Sequence, residues 1–260
     1  WRSIFPEKTP ITLTSAYTAT VDDVHLHGSA VSGEFTIMLL APSSVPTRKL
    51  FVMNIGAYRS IELKAASSGQ FLWDKGAANS IYLSGRQYVN IRSDGTYWLV
   101  EGYNPLTGYA RDIKSPNTSL GGSSIANNPQ TRTINQITGD ATNFLSLPGS
   151  NRILVERGTV DYEASAPSYR AGTNQLLLIN ATDSSVYQVG HGLYGDGGDA
   201  TQIVSFLNGT IEASNSKLWE LWHYTSDAIA SRGLGGQVGN FTGDPSSYVT
   251  FAEIKFTKRL

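Results

Sequence analysis

Apolar and polar residues alternate in short runs along much of the chain. Between residues 34 and 40, Phe35, Ile37 and Leu39 fall on one face, as they do in a strand that buries one side. Similar runs recur at spacings of roughly 8–12 residues, which is typical of an antiparallel sandwich or barrel. These runs are Lys49–Ile55, Ile61–Ala65, Ile81–Leu83, Gln87–Arg92 and Thr96–Val100. Ser93-Asp94-Gly95 lies before the last run and predicts a hairpin turn.

The alternation stops at residue 104. Pro, Gly, Ser and Asn crowd together in stretches such as Leu120–Ser124 and Asn127–Pro129. Turn-forming residues without a periodic pattern of apolar positions predict a linker or extended arm over residues 104–147.

Strand signals return after residue 148 and continue to the C-terminus. The runs are Thr159–Ala164, Asn174–Asn180, Ser185–Val189, Gln202–Leu207, Thr210–Ala213, Leu218–Tyr224 and Tyr248–Phe256. The sequence therefore predicts an all-β fold of two antiparallel β-sandwich domains. A small N-terminal β domain occupies residues 1–103, and a C-terminal domain occupies residues 148–260.

The amino-acid composition argues against several classes of protein. Charged residues make up 16% of the chain and the formal net charge is −1, which argues against a nucleic-acid partner. Cysteine is absent, so disulfides cannot stabilise the fold. The longest uncharged apolar run is Ile37–Ala41, too short to cross a bilayer. The first residue is Trp1, so we expect a processed chain or a piece of a longer protein.

Two sets of motifs resemble virion proteins of tailed phages. Glu34–Leu39, Lys49–Ile55 and Ser93–Trp98 are similar to a small β domain found in tail fibres. The C-terminal half resembles more closely a jelly-roll domain of virion tail and fibre proteins. Its motifs follow in order: Asp161–Arg170, Leu176–Asp183, Phe206–Gly209, Leu218–His223, Arg232–Gly235 and Val249–Lys255.

The resemblance implies jelly-roll-like domains related to the tumour-necrosis-factor and complement-like folds, which assemble as trimers. It implies a homotrimeric fibre or spike on the virion surface, made in the cytoplasm of a host bacterium and contacting other virion proteins. A closed ring of three copies would also cover exposed sheet edges. A monomeric two-domain sandwich is the alternative.

Exposed aromatic residues are the best candidates for ligand binding, because flat rings offer contact area at low entropic cost. The glycine-rich loop Gly190–Asp196 presents His191, Tyr194 and Asp196. On the strand Leu218–Tyr224, alternation places Trp219, Leu221 and His223 toward the core and Trp222 and Tyr224 outward. We expect these outward rings to bind a glycan or to lie in a subunit contact.

His25 and His27 share one face of a predicted strand. Imidazoles gathered from three copies would suit a divalent transition metal, whereas in a single chain they are two surface histidines. We expect no other cofactor.

An enzymatic role is a minor alternative. A capsule depolymerase needs two carboxylates facing each other across the scissile bond. The candidate carboxylates, which show no convergence in sequence, are Glu156, Glu163, Glu212 and Glu220. The regular coils of a parallel β-helix are also not apparent.

The sequence therefore predicts a non-enzymatic virion fibre or spike protein that binds a bacterial surface polysaccharide. The alternative is a structural head-fibre, decoration or baseplate component without a receptor of its own.

Overall fold

The structure is a computed structural model. It describes residues 9–30, 33–56, 59–67, 70–73, 76–114, 121–140, 144–149, 151–195, 202–235 and 249–260. The chain forms two compact units: unit 1 comprises residues 1–106 with 259–260, and unit 2 comprises residues 107–258. Within the described ranges, no helix is long and apolar enough to cross a membrane.

Unit 1 consists of short strands. Their bounds are β1 Ile11–Leu13, β2 Tyr17–Thr18, β3 His25–Gly28, β4 Phe35–Met38, β5 Lys49–Asn54, β6 Ile61–Lys64, β7 Phe71–Trp73, β8 Gly76–Ala78, β9 Ser80–Leu83, β10 Tyr88–Ser93 and β11 Trp98–Tyr103. One sheet, the β5 sheet, has the order β1-β3-β5-β10-β11-β7-β8, and the other, the β4 sheet, has the order β2-β4-β6-β9.

Strands β1 to β6 of unit 1 alternate between these two sheets. Strands β1, β3 and β5 are parallel neighbours in the β5 sheet, and β2, β4 and β6 are parallel neighbours in the β4 sheet. The chain thus winds in short coils before antiparallel strands continue the sheets. This differs from the antiparallel sandwich predicted for this region, because a one-sided strand alternates in the same way with a parallel or an antiparallel neighbour.

Both sheets of unit 1 share one apolar core. Leu26 and Val52 contribute from the β5 sheet, and Ile37 and Leu63 contribute from the β4 sheet, all fully buried. The predicted hairpin at Asp94 is present, with Ser93 paired to Trp98.

Unit 2 contains longer strands. Their bounds are β12 Leu106–Lys114, β13 Gln130–Thr131, β14 Gln136–Gly139, β15 Leu145–Gly149, β16 Arg152–Val155, β17 Gly158–Tyr169, β18 Thr173–Asn180, β19 Ser185–Val189, β20 Leu193–Tyr194, β21 Gln202–Ala213, β22 Lys217–Thr225 and β23 Val249–Lys258. The β17 sheet has the order β14-β12-β23-β17-β21. The β18 sheet has the order β15-β16-β22-β18-β19, with β13 beside β22 and β20 beside β18.

The described strand pairs of unit 2 are antiparallel, as in β17 with β21 and β18 with β22. Non-consecutive strands lie side by side, so the connections cross between two antiparallel sheets in the manner of a jelly roll. The prediction of an all-β, jelly-roll-like fold is confirmed.

The predicted linker over residues 104–147 is corrected by the structure. Strand β12 and the shorter strands β13 and β14 lie within this segment and pair in both sheets of unit 2. The buried positions of β12 are Leu106, Gly108, Ala110 and Asp112. Two small residues and one carboxylate at core-facing positions hide the apolar alternation on which strand prediction depends.

Candidate functional site: the aromatic face of unit 2

The faces of β22 follow the predicted alternation. Trp219, Leu221 and His223 are buried, whereas Trp222 and Tyr224 are half-buried on the opposite side. The outward rings therefore lie on the outer face of the β18 sheet.

The structure brings Tyr194 to the same face. Tyr194 pairs with Thr173 of β18, and the same strand pairs Gln175 with Tyr224 and Leu177 with Trp222. Paired and alternate residues of a sheet share one side. Tyr194, Gln175, Trp222 and Tyr224 thus form one surface, which we call the aromatic face. Tyr194 is its most accessible ring, at 75% exposure.

Hydrogen bonds hold the polar tips of this face. The indole Nε1 of Trp222 donates to Glu220 Oε2 at 2.8 Å, and the Tyr224 hydroxyl donates to Asn127 Oδ1 at 2.8 Å. Gln175 Nε2 donates to the carbonyl of Gly190 at 2.6 Å, which ties the start of the predicted binding loop to the sheet. Fixing the ring edges lowers the entropy lost when a ligand stacks on the faces.

Gly190, in the loop that precedes β20, has no room for a side chain. A Cβ at Gly190 would lie 2.7 Å from the carbonyl oxygen of Phe206, so a side chain at this position would clash with backbone. His191, the next residue, is exposed beside the aromatic face. Asp196, the third predicted loop residue, lies outside the described residues.

Gln175 and Asn127 were not predicted as site residues. Gln175 is hidden in an ordinary strand pattern, and Asn127 lies in the segment predicted as a linker. Register with Tyr224 gives Gln175 its place on the aromatic face, and a single sequence contains no direct signal for register between distant strands.

The predicted metal ligands lie in unit 1. His25 and His27 are half-buried on one face of β3, with ring centroids 5.6 Å and 6.3 Å from that of Phe51. Burial, and secondarily the neighbouring His25, lowers the pKa of His27. Among the described residues, no group of three potential ligands surrounds a common point. Two imidazoles packed on a phenyl ring do not fit a complete metal site within one chain.

A buried polar cluster lies in the core of unit 2. Arg132 donates from Nη1 to the carbonyl of Leu234 at 2.7 Å and from Nη2 to the carbonyl of Phe251. Burial lowers the pKa of Arg132 to about 10, against the opposing effect of Asp112. His223 is also buried, and its two ring nitrogens have no hydrogen-bond partner among the described residues. Burial, reinforced by Arg132, lowers the pKa of His223 to about 3.

Asp112 completes this cluster from the other sheet. Burial raises the pKa of its carboxyl, and Lys114 and Arg132 oppose the shift. Lys114 Nζ lies 3.5 Å from Asp112 Oδ2. The cluster is fully inside the fold, so it bears on stability rather than on ligand contact.

Several solved structures align with about 60% of the chain at low sequence identity. The crystal structure of murine APRIL at pH 8.0 aligns with a TM-score of 0.37 and 8% identity, over 60% of this chain and 100% of that chain. The globular domain of zebrafish complement 1qA protein aligns with a TM-score of 0.33 and 8% identity, over 60% of this chain and 95% of that chain. No protein-family model matches the chain, and no curated protein matches it either. The fold assignment rests on the strand order of unit 2.

Proposed function

We propose that the protein is a fibre- or spike-type attachment protein of a virion surface. It binds a bacterial surface polysaccharide through the aromatic face of unit 2, as a homotrimer, and does not hydrolyse it. The ordered motifs of residues 161–255 support the virion assignment through their resemblance to phage fibre domains.

The convergence of Tyr194, Tyr224 and Trp222 on one sheet face carries this proposal. Three rings from two strands lie around Gln175, whose carbonyl oxygen and amide are of the kind that bond sugar hydroxyls. The rings supply apolar surface for the CH faces of a sugar. A rigid sheet with one adjoining loop is a common frame for binding residues.

Apolar exposure on β21 supports assembly. This strand lies at the edge of the β17 sheet, and Phe206 and Val204 on its outer face are 63% and 37% exposed. A long edge strand with exposed apolar side chains pairs or aggregates unless it is covered. Neighbouring copies arranged in a closed ring would cover it without leading to open-ended growth.

A groove of about 320 Å³ lies on the same face. It is lined by Pro167 and Val204 and by Ser165, which is directly opposite Phe206 in the sheet. A projecting ring and an adjacent concavity on one surface suit a heterologous contact between identical copies.

Glycan binding is tested with purified capsular polysaccharides and lipopolysaccharide O-antigens. We expect Tyr194→Ala and Tyr224→Ala each to weaken binding at least fivefold in isothermal titration calorimetry, because each removes one stacking ring. Tyr82→Ala is the matched control, since Tyr82 lies on an outer face of unit 1 and bonds Glu62 at 3.1 Å. A reducing-end assay on the same polysaccharides should detect no cleavage. Binding that survives loss of both rings contradicts the proposed site.

Assembly is tested by multi-angle light scattering. The wild-type chain should have three times the monomer mass, and Phe206→Glu should reduce it to the monomer mass. Glu212→Gln, on the same exposed face of β21, should leave the trimer intact. A wild-type monomer at micromolar concentration would remove the trimer from the proposal.

A structural role is the second candidate, favoured by one observation. Val186 and Val189, 57% and 49% exposed, pair with Ile179 and Leu177 beside the aromatic face. This apolar strip could be covered by another virion protein. Two results together would favour the structural role. The protein would bind none of the tested glycans, and it would co-purify with a virion component unless Val186 and Val189 were replaced.

A further inference from the structure

The winding part of unit 1 has an open end at its first two strands. Strand β1 lies at the edge of the β5 sheet, where it pairs with β3 on one side. Strand β2 lies at the edge of the β4 sheet, where it pairs with β4 on one side. Among the described residues, nothing pairs with the outer side of either strand. Because β1 and β2 form one coil, which is one pass of the chain through both sheets, we call these two free edges the β1–β2 end.

The apolar core is incomplete at this end of the β5 sheet. Ile11, Leu26, Val52 and Val89 lie opposite one another on four neighbouring strands. Leu26, Val52 and Val89 are fully buried, whereas Ile11 is 41% exposed. Leu13 is buried and lies two residues after Ile11 on the same strand, so Ile11 faces the core side of β1. Ile11 is therefore a core side chain without a covering layer.

The β4 sheet shows the same gradient. Tyr17, Ile37, Leu63 and Ile81 lie opposite one another on its four strands. The last three are buried at 1% exposure or less, whereas Tyr17 is half-buried and its hydroxyl donates to Asp23 Oδ2 at 3.0 Å. Both rows of core side chains are thus covered toward β9 and β10 and uncovered at the β1–β2 end.

The backbone of β1 also presents groups to the open side. The amide of Ser29 donates to the carbonyl of Leu13 at 2.7 Å, so Leu13 bonds toward β3. Successive residues of a strand direct their backbone groups to opposite sides, which directs the amide and carbonyl of Thr12 to the free edge. Such unpaired edge groups are a template for a further strand.

The small size of the β1–β2 end favours a covalently attached partner. A stable interface between separate chains buries about 800 Å² on each side. This end offers one partly exposed side chain, one half-buried ring and the edges of strands of three and two residues. A segment joined to the chain directly before β1 needs no such area, because a short connection gives it a high effective concentration.

The order of strands shows where that segment lies in the polypeptide. From β3 to β6, each strand has a parallel neighbour that comes two strands earlier. The neighbour of β2 would therefore come directly before β1, and the neighbour of β1 would come before that. The shortest spacing between the starts of such neighbours is 14 residues, from Ile11 to His25. Residues 1–8 are too few to supply both strands.

We propose that unit 1 is the last part of a longer parallel β-solenoid, in which at least one more coil of the same polypeptide, upstream of Trp1, covers the β1–β2 end. The two strands of that coil run parallel to β1 and β2 at the usual strand spacing of about 4.8 Å. Its apolar inner side chains pack on Ile11 and Tyr17. This proposal depends neither on the aromatic face nor on the trimer.

Hydrogen exchange measured by mass spectrometry tests the proposal. The comparison is between the chain of 260 residues and the natural polypeptide that includes the residues upstream of Trp1. Exchange in residues 9–18 should be about tenfold slower in the longer polypeptide, because a further coil would bond the free edges.

A matched pair of variants tests the covering of Ile11. Ile11→Asp should accelerate exchange in unit 1 about tenfold more in the longer polypeptide than in the chain of 260 residues, because there the charge enters a covered layer. Thr12→Asp is the control, since Thr12 is exposed on the opposite face of the same strand, and it should have a small effect in both.

Three results would overturn the proposal. The natural polypeptide could have too few upstream residues for two strands, residues 9–18 could exchange equally fast in both chains, or Ile11→Asp could act no more strongly than Thr12→Asp. Protection of residues 9–18 that rises with the concentration of the 260-residue chain would also overturn it, because a second copy would then cover the edge. No saccharide is used, so each result is independent of the test of glycan binding.

Discussion

Units 1 and 2 are both built from two sheets, but their strands differ in length and in pairing direction. In unit 1, strands β1 to β6 alternate between the two sheets, so that alternate strands are parallel neighbours. Unit 2 uses strands of up to 12 residues in antiparallel pairs, and its core contains the buried polar residues Asp112, Arg132 and His223.

The two units also differ in how their buried polar groups are bonded. In unit 1, Asn54 donates to the carbonyl of Leu83 at 3.0 Å, and Gln87 accepts from the Ser84 amide at 2.9 Å. Both side chains satisfy backbone groups at turns. In unit 2, both ring nitrogens of His223 and Arg132 Nε are buried without a hydrogen-bond partner among the described residues, whereas in the described part of unit 1 this holds for Ser84 Oγ alone.

Unmatched buried polar groups are expensive, because each has lost its water without replacement. The comparison therefore indicates that unit 2 depends more strongly on single residues and on pH than unit 1. Hydrogen exchange measured by mass spectrometry reports the stability of each unit separately, and the following predictions use it.

Removal of Arg132 should have the largest effect. Arg132→Ala deletes the bonds to the carbonyls of Leu234 and Phe251 and removes one of the two cations, with Lys114, that favour the charged form of the buried Asp112 carboxyl. Each buried acceptor that is left without its donor costs about 1–3 kcal/mol. Exchange should accelerate throughout unit 2 and stay unchanged in unit 1.

The double variant Arg132→Met/Asp112→Asn is the control for this result. It removes both charges together, so we expect it to be more stable than Arg132→Ala. Equal destabilisation of the two variants would mean that the bonds to the two carbonyls, rather than the uncompensated carboxylate, account for the effect.

Acidification should have the next largest effect, again in unit 2. The pKa of His223 is about 3 when folded and near 6.5 when unfolded. Between these values the unfolded state binds more protons, so stability falls by about 1.4 kcal/mol for each pH unit. Asp112 acts in the opposite sense, because its raised folded pKa lets the folded state take up a proton first.

His223→Gln tests the assignment of this pH dependence. It cannot take up the proton, so the stability of unit 2 should depend less steeply on pH between about 6 and 3. An unchanged slope would assign the acid sensitivity to other groups. Denaturant midpoints of unit 2, followed by hydrogen exchange at several pH values, give the comparison.

Apolar packing should distinguish the units least. Ile37 in unit 1 and Ile254 in unit 2 are both fully buried. Ile37→Val and Ile254→Val should each cost about 1 kcal/mol in their own unit. A difference of several-fold between them would show that the apolar cores, and not only the buried polar groups, set the two units apart.

The sequence predicts strands best where apolar side chains occupy every buried position. Residues 35–39 meet this condition and residues 218–224 meet it except at His223; the predicted buried face of β22 is confirmed. Strand β12 fails the condition at Gly108 and Asp112, so a nine-residue strand was predicted as a linker. Parallel winding in unit 1 could not be predicted, because pairing direction depends on partners distant in sequence.

The sequence predicted most residues of the candidate site but not how they are arranged in space. The outward direction of Trp222 and Tyr224 follows from alternation along one strand. Their convergence with Tyr194 requires the register of β18 with both β20 and β22, and the arrangement of His25 and His27 around Phe51 requires the register of β3 with β5. Neither register is encoded locally.

The hairpin of unit 1 should give the smallest effect and an acid response of its own. Asp94 Oδ1 accepts from the amides of Tyr97 at 2.7 Å and Thr96 at 2.8 Å, and these bonds lower the pKa of its carboxyl. A lowered folded pKa gives stabilisation that is present at neutral pH and is lost as pH falls through that value. Asp94→Ala should therefore destabilise unit 1 slightly at pH 7 and not at pH 2. Asp94→Asn, which keeps an acceptor oxygen, should fall between wild type and Asp94→Ala at pH 7. An Asp94→Ala effect that persists at pH 2 would assign the role to turn geometry rather than to the charge, since the protonated wild-type side chain has by then lost its advantage.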